Sequence, residues 1–392
     1  MNAGSSPFVA NFSLVIGGPF YNGLRRMKLV EPAPNVPGRI LALLLFTWLP
    51  LLILAFAQGT ASGGKARLPL LYDFSIYGRF FVGLPLLIVA EIVIDPWIRR
   101  VVSIFNESGI IPTETLPAYY AALKKITRLR DSGVVELILL LLASFPFFML
   151  DDLEWISPGL TTWHGTASGG LSAAGWWFAF VSSPILRFLL FRWLWRYLLW
   201  SMLLYRIMKL DLNLMPAHPD SLGGLGFVLN AQRHFGILFA AIGGFLAGQY
   251  GNSIAYFGAT LSSTRTPIFA FVVLSVVIVL CPLLLLTPKL VVVRRTGLSR
   301  YSQLARSLTG AFDAKWVGGP QSIQEGMLGN PDPSSLIDYV SSYNVVKDMK
   351  VFPIDKQLVM QVASEAAAPL ALLWLAATPV EQIITGVLKM LV

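Results

Sequence analysis

Apolar stretches close to the length of a membrane crossing recur along this sequence, and they limit the folds open to it more than any other feature. The first runs from Ile40 to Ala57, and a hydrocarbon core about 30 Å thick takes about 20 helical residues. Further runs occupy about 76–94, 133–150, 172–205, 234–257 and 267–288. They predict an all-α, polytopic transmembrane helix bundle of six spans, the fourth too long for a simple crossing. A cleaved signal peptide does not account for the first run, which begins only at Ile40, lacks a convincing small-residue cleavage site and is the first of several. Composition agrees: 55% hydrophobic, 13% charged and a mean hydropathy of +0.66, where soluble chains carry about 25% charge. Disorder and collagen are excluded. The lone cysteine, Cys281, excludes an internal disulfide or a cysteine-held zinc or iron–sulfur centre.

Lys and Arg orient the spans, because cytoplasmic loops accumulate them. With the N-terminus inside, Lys65, Arg67, Arg79 and Arg265 fall outside, Arg187, Arg192 and Arg196 fall within the fourth span, and the other 23 of the 30 basic residues fall on the cytoplasmic side. The loop bearing Asp151, Asp152 and Glu154 has no Lys or Arg, as suits an external loop. The net charge of +9 is then chiefly a topology signal, and no nucleic-acid motif accompanies it. Three regions result: a cytoplasmic or interfacial segment 1–38, a bundle 39–290, and a cytoplasmic helical region 291–392, with both termini inside.

Several connectors read as ordered. Tyr120, Leu123, Ile126 and Leu129 recur at helical spacing beside Lys124, Lys125, Arg128 and Arg130, predicting a basic amphipathic helix on the anionic inner leaflet. Tyr301, Leu304, Leu308, Phe312 and Trp316 form a second stripe, and Asp332-Pro333 starts another helix after a Gly- and Pro-rich loop. The run Ala366–Ala377 is too short to cross, so it is expected to be re-entrant, interfacial or packed on the bundle; a seventh crossing would have to absorb Gln361, Ser364 and Glu365.

Five segments carry a resemblance: Gly17-Gly18-Pro19-Phe20-Tyr21 before Arg25-Arg26, Asp73-Phe74-Ser75, Arg128-Leu129-Arg130-Asp131-Ser132, Ala217-His218-Pro219-Asp220 with Gly223-Gly224-Leu225-Gly226-Phe227, and Gly329-Asn330-Pro331-Asp332. Together they resemble a group of uncharacterised bacterial polytopic inner-membrane proteins, over nearly the whole chain. The resemblance implies a bacterial inner-membrane location and a single membrane module, and it implies no activity.

Three constellations could carry chemistry. Arg187, Arg192 and Arg196 lie in the fourth span, where a cation costs at least about 2.5–3.5 kcal/mol. Glu91 and Glu136 should lie at similar depth, and Arg192 and Arg196 share a helix face. The readings are a polar pathway or anion site, or structural ion pairs with Arg196 snorkelling inward. Proline within several spans (Pro50, Pro85, Pro146, Pro184, Pro282) allows broken helices but is common in membranes. In the fifth span Gly236, Ala240, Gly244, Gly248 and Gly251 make a small-residue stripe, with Gly244 and Gly248 as its core, for close packing within the chain or in a homo-oligomer. The cytoplasmic turn Asp211–Phe227 sets His218 near Asp220 beside Gly223, Gly224 and Gly226. It could hold a metal with His234 or an acid–base pair, or be a rigid connector in which Asp220 caps the next helix; the spacing matches no metal motif, and no phosphate loop is formed. No metal, cofactor or catalytic residue is assigned. His164 is expected in an external interfacial loop.

The leading functional reading is a channel or transporter for an ion or small solute along the Arg/Glu pathway. Its alternative is a non-transporting scaffold or accessory subunit docking a cytoplasmic protein partner. A third, lipid-modifying chemistry at His218 and Asp220, has no motif behind it.

Overall fold

The computed structural model describes residues 7–27, 35–63, 66–145, 162–166, 169–317 and 331–377. Among them every regular element is helical, apart from two isolated β-bridges, Leu68 with Thr162 and Gly165 with Leu171. The principal helices in chain order are α1 Gly18–Arg26, α2 Val36–Ala57, α3 Phe74–Glu107, α4 Leu116–Arg130, α5 Gly133–Ser144, α6 Ala173–Met208, α7 Gly226–Gln232, α8 Gly236–Phe257, α9 Arg265–Val317, α10 Pro331–Lys347 and α11 Lys356–Ala377.

Four of them, α2, α3, α6 and α9, are long and apolar enough to cross a membrane. The other two expected spans differ from these. The third is the 12-residue apolar helix α5, and the remainder of that stretch, with Pro146, Asp151, Asp152 and Glu154, lies outside the described residues. The fifth is α8, a 22-residue helix without a charge whose glycines dilute its hydropathy.

Those glycines hold α8 between two helices of the same chain. On one side the Gly244 carbonyl occupies the place of a side chain on Gly78, a Cβ on Gly244 would meet Val82 Cγ1 at 2.7 Å, and one on Gly248 would meet the Phe74 carbonyl oxygen at 2.5 Å. Gly244 and Gly248, the core of the stripe expected to serve packing within or between chains, are occupied by α3. On the other side Gly236 meets Val362 and Glu365, Gly243 meets Ala366 and Pro369, and Gly251 meets Leu373. These pairs ascend together, so α11 runs in the same direction as α8.

That placement differs from the expected short apolar tail of a separate cytoplasmic region. The apolar run Ala366–Ala377 is the second half of a 22-residue helix packed along α8. Its interrupting polar residues bond to one another in part: Gln361 Nε2 donates to Glu365 Oε1 (2.8 Å) and Ser364 Oγ to the Gln361 carbonyl (2.8 Å), while Glu365 Oε2 is buried without a hydrogen-bond partner. The residues after Ala377 lie outside the described residues, as do 318–330 of the Gly- and Pro-rich loop.

Two further expectations change for the same reason, that an apolar face prefers protein where protein is available. In α4 the buried residues are Tyr119, Ala122, Leu123 and Ile126; Tyr119 Oη donates to the Val102 carbonyl and Tyr120 Oη to Asn106, both at 2.8 Å. The helix thus lays its apolar stripe chiefly on α6, with the Tyr119 and Tyr120 hydroxyls reaching α3. His164 is buried beside Trp163, not exposed in an interfacial loop. Next to it the fully buried Asp73 caps α3, accepting from Ser75 N (2.8 Å), Trp163 Nε1 (2.8 Å) and Asn252 Nδ2 (2.7 Å). One carboxylate therefore ties α3, a distant loop and the far end of α8 together.

Candidate functional site

The charged cluster is built where α2, α3, α5 and α6 converge. Glu91 of α3 sits between two guanidinium groups, with Arg39 Nη2 at 2.7 Å from Oε2 and Arg196 Nη1 at 3.0 Å from Oε1. Glu136 of α5 lies 3.6 Å from Arg192 Nη2. Arg39, Arg192, Arg196 and Glu91 are each under a tenth exposed. Aromatic rings complete the shell: Arg192 stands 4.5 Å over the Phe20 ring of α1, and Arg196 stands 4.7 Å over Trp193 of α6. A cation held over a ring face in a desolvated site gains up to about 2 kcal/mol.

The same geometry explains the Gly-Gly-Pro-Phe sequence. Gly17 and Gly18 take φ of +136° and +84°, values that L side chains rarely adopt. The chain can thereby fold tightly against α5, and the Phe20 amide donates to Glu136 Oε2 at 2.8 Å. A Cβ on Gly18 would lie 2.9 Å from Glu136 Oε1. Just upstream, Ser13 Oγ (2.7 Å) and Leu14 N (3.1 Å) donate to Asp95, which also accepts from Arg99 Nε (2.6 Å). Arg130 Nη1 donates to the Ser13 carbonyl at 2.5 Å. Residues 13–20 therefore close the cluster on that side.

Of the five residues expected in a polar pathway, four are brought together, as the pairs Arg196–Glu91 and Arg192–Glu136. Arg187 is not among them. One turn or more away on α6, it donates to the Phe145 carbonyl (3.1 Å) at the end of α5 and to its own Ser183 carbonyl (3.4 Å). Arg39 and the Gly17–Phe20 segment are the members that sequence reasoning overlooked. Arg39 lies one residue before the first apolar run, and a basic residue beside an apolar run with a carboxylate in the next run is itself a pairing signal.

The turn Asp211–Phe227 forms a second site. Asp220 organises it: Oδ1 accepts from Leu222 N (2.8 Å) and Gly224 N (3.1 Å), and Oδ2 from Gly226 N (2.8 Å). Gly223 and Gly224 have φ of +67° and +96°, which lets the amides converge. Burial pushes the Asp220 carboxyl up, but the Leu222, Gly226 and Gly224 amides and His218 outweigh it and hold the group below the usual carboxylate range. His218 Nδ1 lies 2.9 Å from Asp220 Oδ1. His234 is elsewhere, stacked 4.5 Å from Trp97 with Nδ1 on the Asn230 carbonyl (2.7 Å). Among the described residues no three His, Cys, Asp or Glu side chains gather as metal ligands.

The turn is also a joint. Lys350 N donates to the Ser221 carbonyl (2.8 Å), Met349 packs on Gly223, Pro216 abuts Gly297, and Asn213 N donates to the Ile110 carbonyl (2.7 Å). It therefore links the end of α3 to the middle of α9 at Gly297 and to the segment after α10.

These features define an all-helical protein with helices fit to cross a membrane, an internal Arg/Glu cluster and a glycine-shaped turn at one end. No family model, curated protein or solved structure matches the chain.

Proposed function

We propose that this chain is a multi-spanning protein of the bacterial inner membrane that does not conduct, and that it docks a cytoplasmic protein through a two-helix arm. The bacterial setting rests on the sequence resemblance, and the orientation rests on the basic-residue bias, with the turn-bearing end inside. In this reading α2, α3, α5, α6, α8 and the first part of α9 supply the six spans, and α11 accompanies α8 into the bilayer.

The observation that carries the proposal is α9. It is one helical stretch of 53 residues, α-helical apart from a 3-10 segment at Cys281–Leu286 and a π turn at Asp313–Val317, about 80 Å at roughly 1.5 Å per residue, whereas a bilayer with its headgroups is about 40–45 Å thick. The excess emerges at the turn, where Lys289 faces Asp211 (3.9 Å) and Gly297 meets Pro216. Beyond it α10 packs back on α9: Tyr301 and Tyr339 stack, Tyr339 Oη donates to the Tyr301 carbonyl, and Lys315 Nζ pairs with Asp332 at 2.7 Å. Two helices cannot bury both faces, and Leu304, Ile337 and Val340 are 53%, 66% and 48% exposed outside the spans. Apolar side chains left in water on a projecting arm support a protein partner.

The charge cluster supports the same reading. A conducting path needs hydrated, reachable charges, while here each carboxylate has a guanidinium partner and the cluster is shut from solvent. A photo-reactive residue at position 337 is expected to give a discrete protein adduct in cells that Val340→Glu removes, and purified protein in liposomes is expected to pass neither chloride nor potassium. Ion flux with no adduct would refute the proposal.

A second reading, an anion site, has one observation in its favour. Three guanidinium groups share two carboxylates, and Arg196 Nη2 is buried without a hydrogen-bond partner. Chloride flux abolished by Arg196→Gln in folded protein would establish it over the first.

A further inference from the structure

A cavity of about 880 Å³ lies between the end of α3, the Asp211–Phe227 turn and α7. Its size falls within the range of about 300–1,000 Å³ usual for small-ligand sites. From its lining we infer that it binds a neutral, planar small molecule whose ring or amide edge carries both hydrogen-bond donors and acceptors. The docking arm plays no part in this inference.

Charge decides the class of ligand. Among the described lining residues there is no Lys, Arg or Glu, and the one acid, Asp220, is turned to internal use. Three backbone amides and His218 surround its two oxygens, so it offers no open carboxylate to a cation. Those three amides, the ones that converge in the glycine-rich turn, are already donated to Asp220 and so are not offered to a phosphate. A phosphorylated or strongly cationic ligand would find no open opposite charge in the lining to favour it over a neutral one.

The remaining polar groups are neutral and two-sided. Asn213 uses Nδ2 on the Gly109 carbonyl (3.3 Å), which leaves its Oδ1 as an acceptor. Asn230 brings a second carboxamide, with donor and acceptor side by side, and Ser108 a hydroxyl. With Nδ1 engaged by Asp220, the His218 ring has Nε2 left for a ligand. Ile104 and Phe227 provide apolar walls, and Phe227 is held edge-on by Phe105 (4.9 Å, 73°), a rigid surface for a flat ring. Paired carboxamides beside an aromatic wall suit an amide or heterocyclic edge.

The test uses the full chain in lipid nanodiscs and ligand-observed NMR, with adenosine and nicotinamide as neutral probes and AMP as the charged twin of adenosine. Saturable binding of a neutral probe is expected, with AMP at least tenfold weaker than adenosine. Asn230→Leu and His218→Phe, each checked for an unchanged thermal transition, should each weaken the neutral probe at least fivefold. No saturable binding of either neutral probe, AMP binding as tightly as adenosine, or affinities unchanged in both variants would overturn the inference.

Discussion

Glu91 is the residue whose replacement tests most directly whether the charge cluster is dry. Its two oxygens lie 2.7 Å from Arg39 and 3.0 Å from Arg196, and all three side chains are under a tenth exposed. At an effective dielectric of about 20, a unit charge pair at about 3 Å is worth about 5 kcal/mol, an upper limit before desolvation is counted. Replacing the carboxylate in Glu91→Gln would leave two buried guanidinium groups facing each other without a counter-charge, and breaking a buried pair from one side costs about 3–5 kcal/mol. We therefore expect Glu91→Gln to lower the unfolding free energy by that amount, measured by denaturant titration or steric trapping in mild detergent. The triple change Glu91→Leu with Arg39→Leu and Arg196→Leu should recover much of the loss, since replacing the whole buried set with apolar groups removes the desolvation cost as well. In a water-filled pathway, solvent would take over the role of the carboxylate. A loss below about 1 kcal/mol for Glu91→Gln, the size seen for exposed pairs, would refute the closed cluster and with it the case against conduction.

Three further outcomes follow from the geometry. Asp220→Asn should destabilise the turn by about 1–3 kcal/mol by weakening the acceptor of three amides; because the folded carboxyl titrates below its ordinary value of about 3.9, its contribution is complete above that pH and is lost as pH falls through the lower, folded value. In thermal scans of both proteins from pH 7 downward the gap should therefore hold to about pH 4 and narrow below it, and a gap that stays constant as the folded protein is titrated to its acid limit would contradict the assignment. Gly244→Val must displace Val82, whose Cγ1 would lie 2.7 Å from the new Cβ, so overpacking should cost about 1–3 kcal/mol or more, whereas Gly23→Ala, inside α1 with nothing within 4 Å of its Cβ, should not lower the melting temperature, because Ala is the better helix former. In a Cys281→Ser background, Gly251→Cys with Leu373→Cys should cross-link on oxidation while Gly236→Cys with Leu373→Cys should not; the reverse pattern would mean that α11 runs against α8.

What the sequence made legible was the set of features that repeat or stand out locally. Unbroken apolar runs announced α2, α3, α6 and the first part of α9, because length and hydropathy alone select a membrane-compatible helix. Arg192, Arg196, Glu91 and Glu136 could be grouped because charges inside apolar runs must find one another, and depth along each run estimates which ones meet. The same logic misplaced Arg187, whose partner is a helix-end carbonyl at Phe145 and so has no side-chain signature. Asp73, Trp163 and Asn252 were not grouped because they come from three separate parts of the chain, and no local pattern points from one to the others. The helix α11 was read short because Gln361, Ser364 and Glu365 resemble an aqueous boundary when their mutual hydrogen bonds are unseen. At the turn, His218, Asp220 and the three glycines were recognisable as a unit, but their neighbours across the joint, Gly297, Met349 and Lys350, were not.

The segment Gly17–Phe20 also imposes a schedule on synthesis. Its anchor, Glu136, comes 116 residues after Phe20, and Asp95 comes 82 after Ser13. At about 5–20 residues per second, the ribosome needs several seconds to tens of seconds to deliver the anchor, and Arg192 follows later still. During that interval the leading segment has no seat and Glu91 has only Arg39, so the first two spans must enter the bilayer with one guanidinium–carboxylate pair between them. The arginines of α6 then arrive into a site already holding a carboxylate, and seating Phe20 over Arg192 is among the last local steps. Assembly of the charged interior is in this sense an event of late translation, and a chain stalled before α6 would carry a half-neutralised interior and an undocked leading segment, two features by which a membrane quality-control protease could tell it from a finished one.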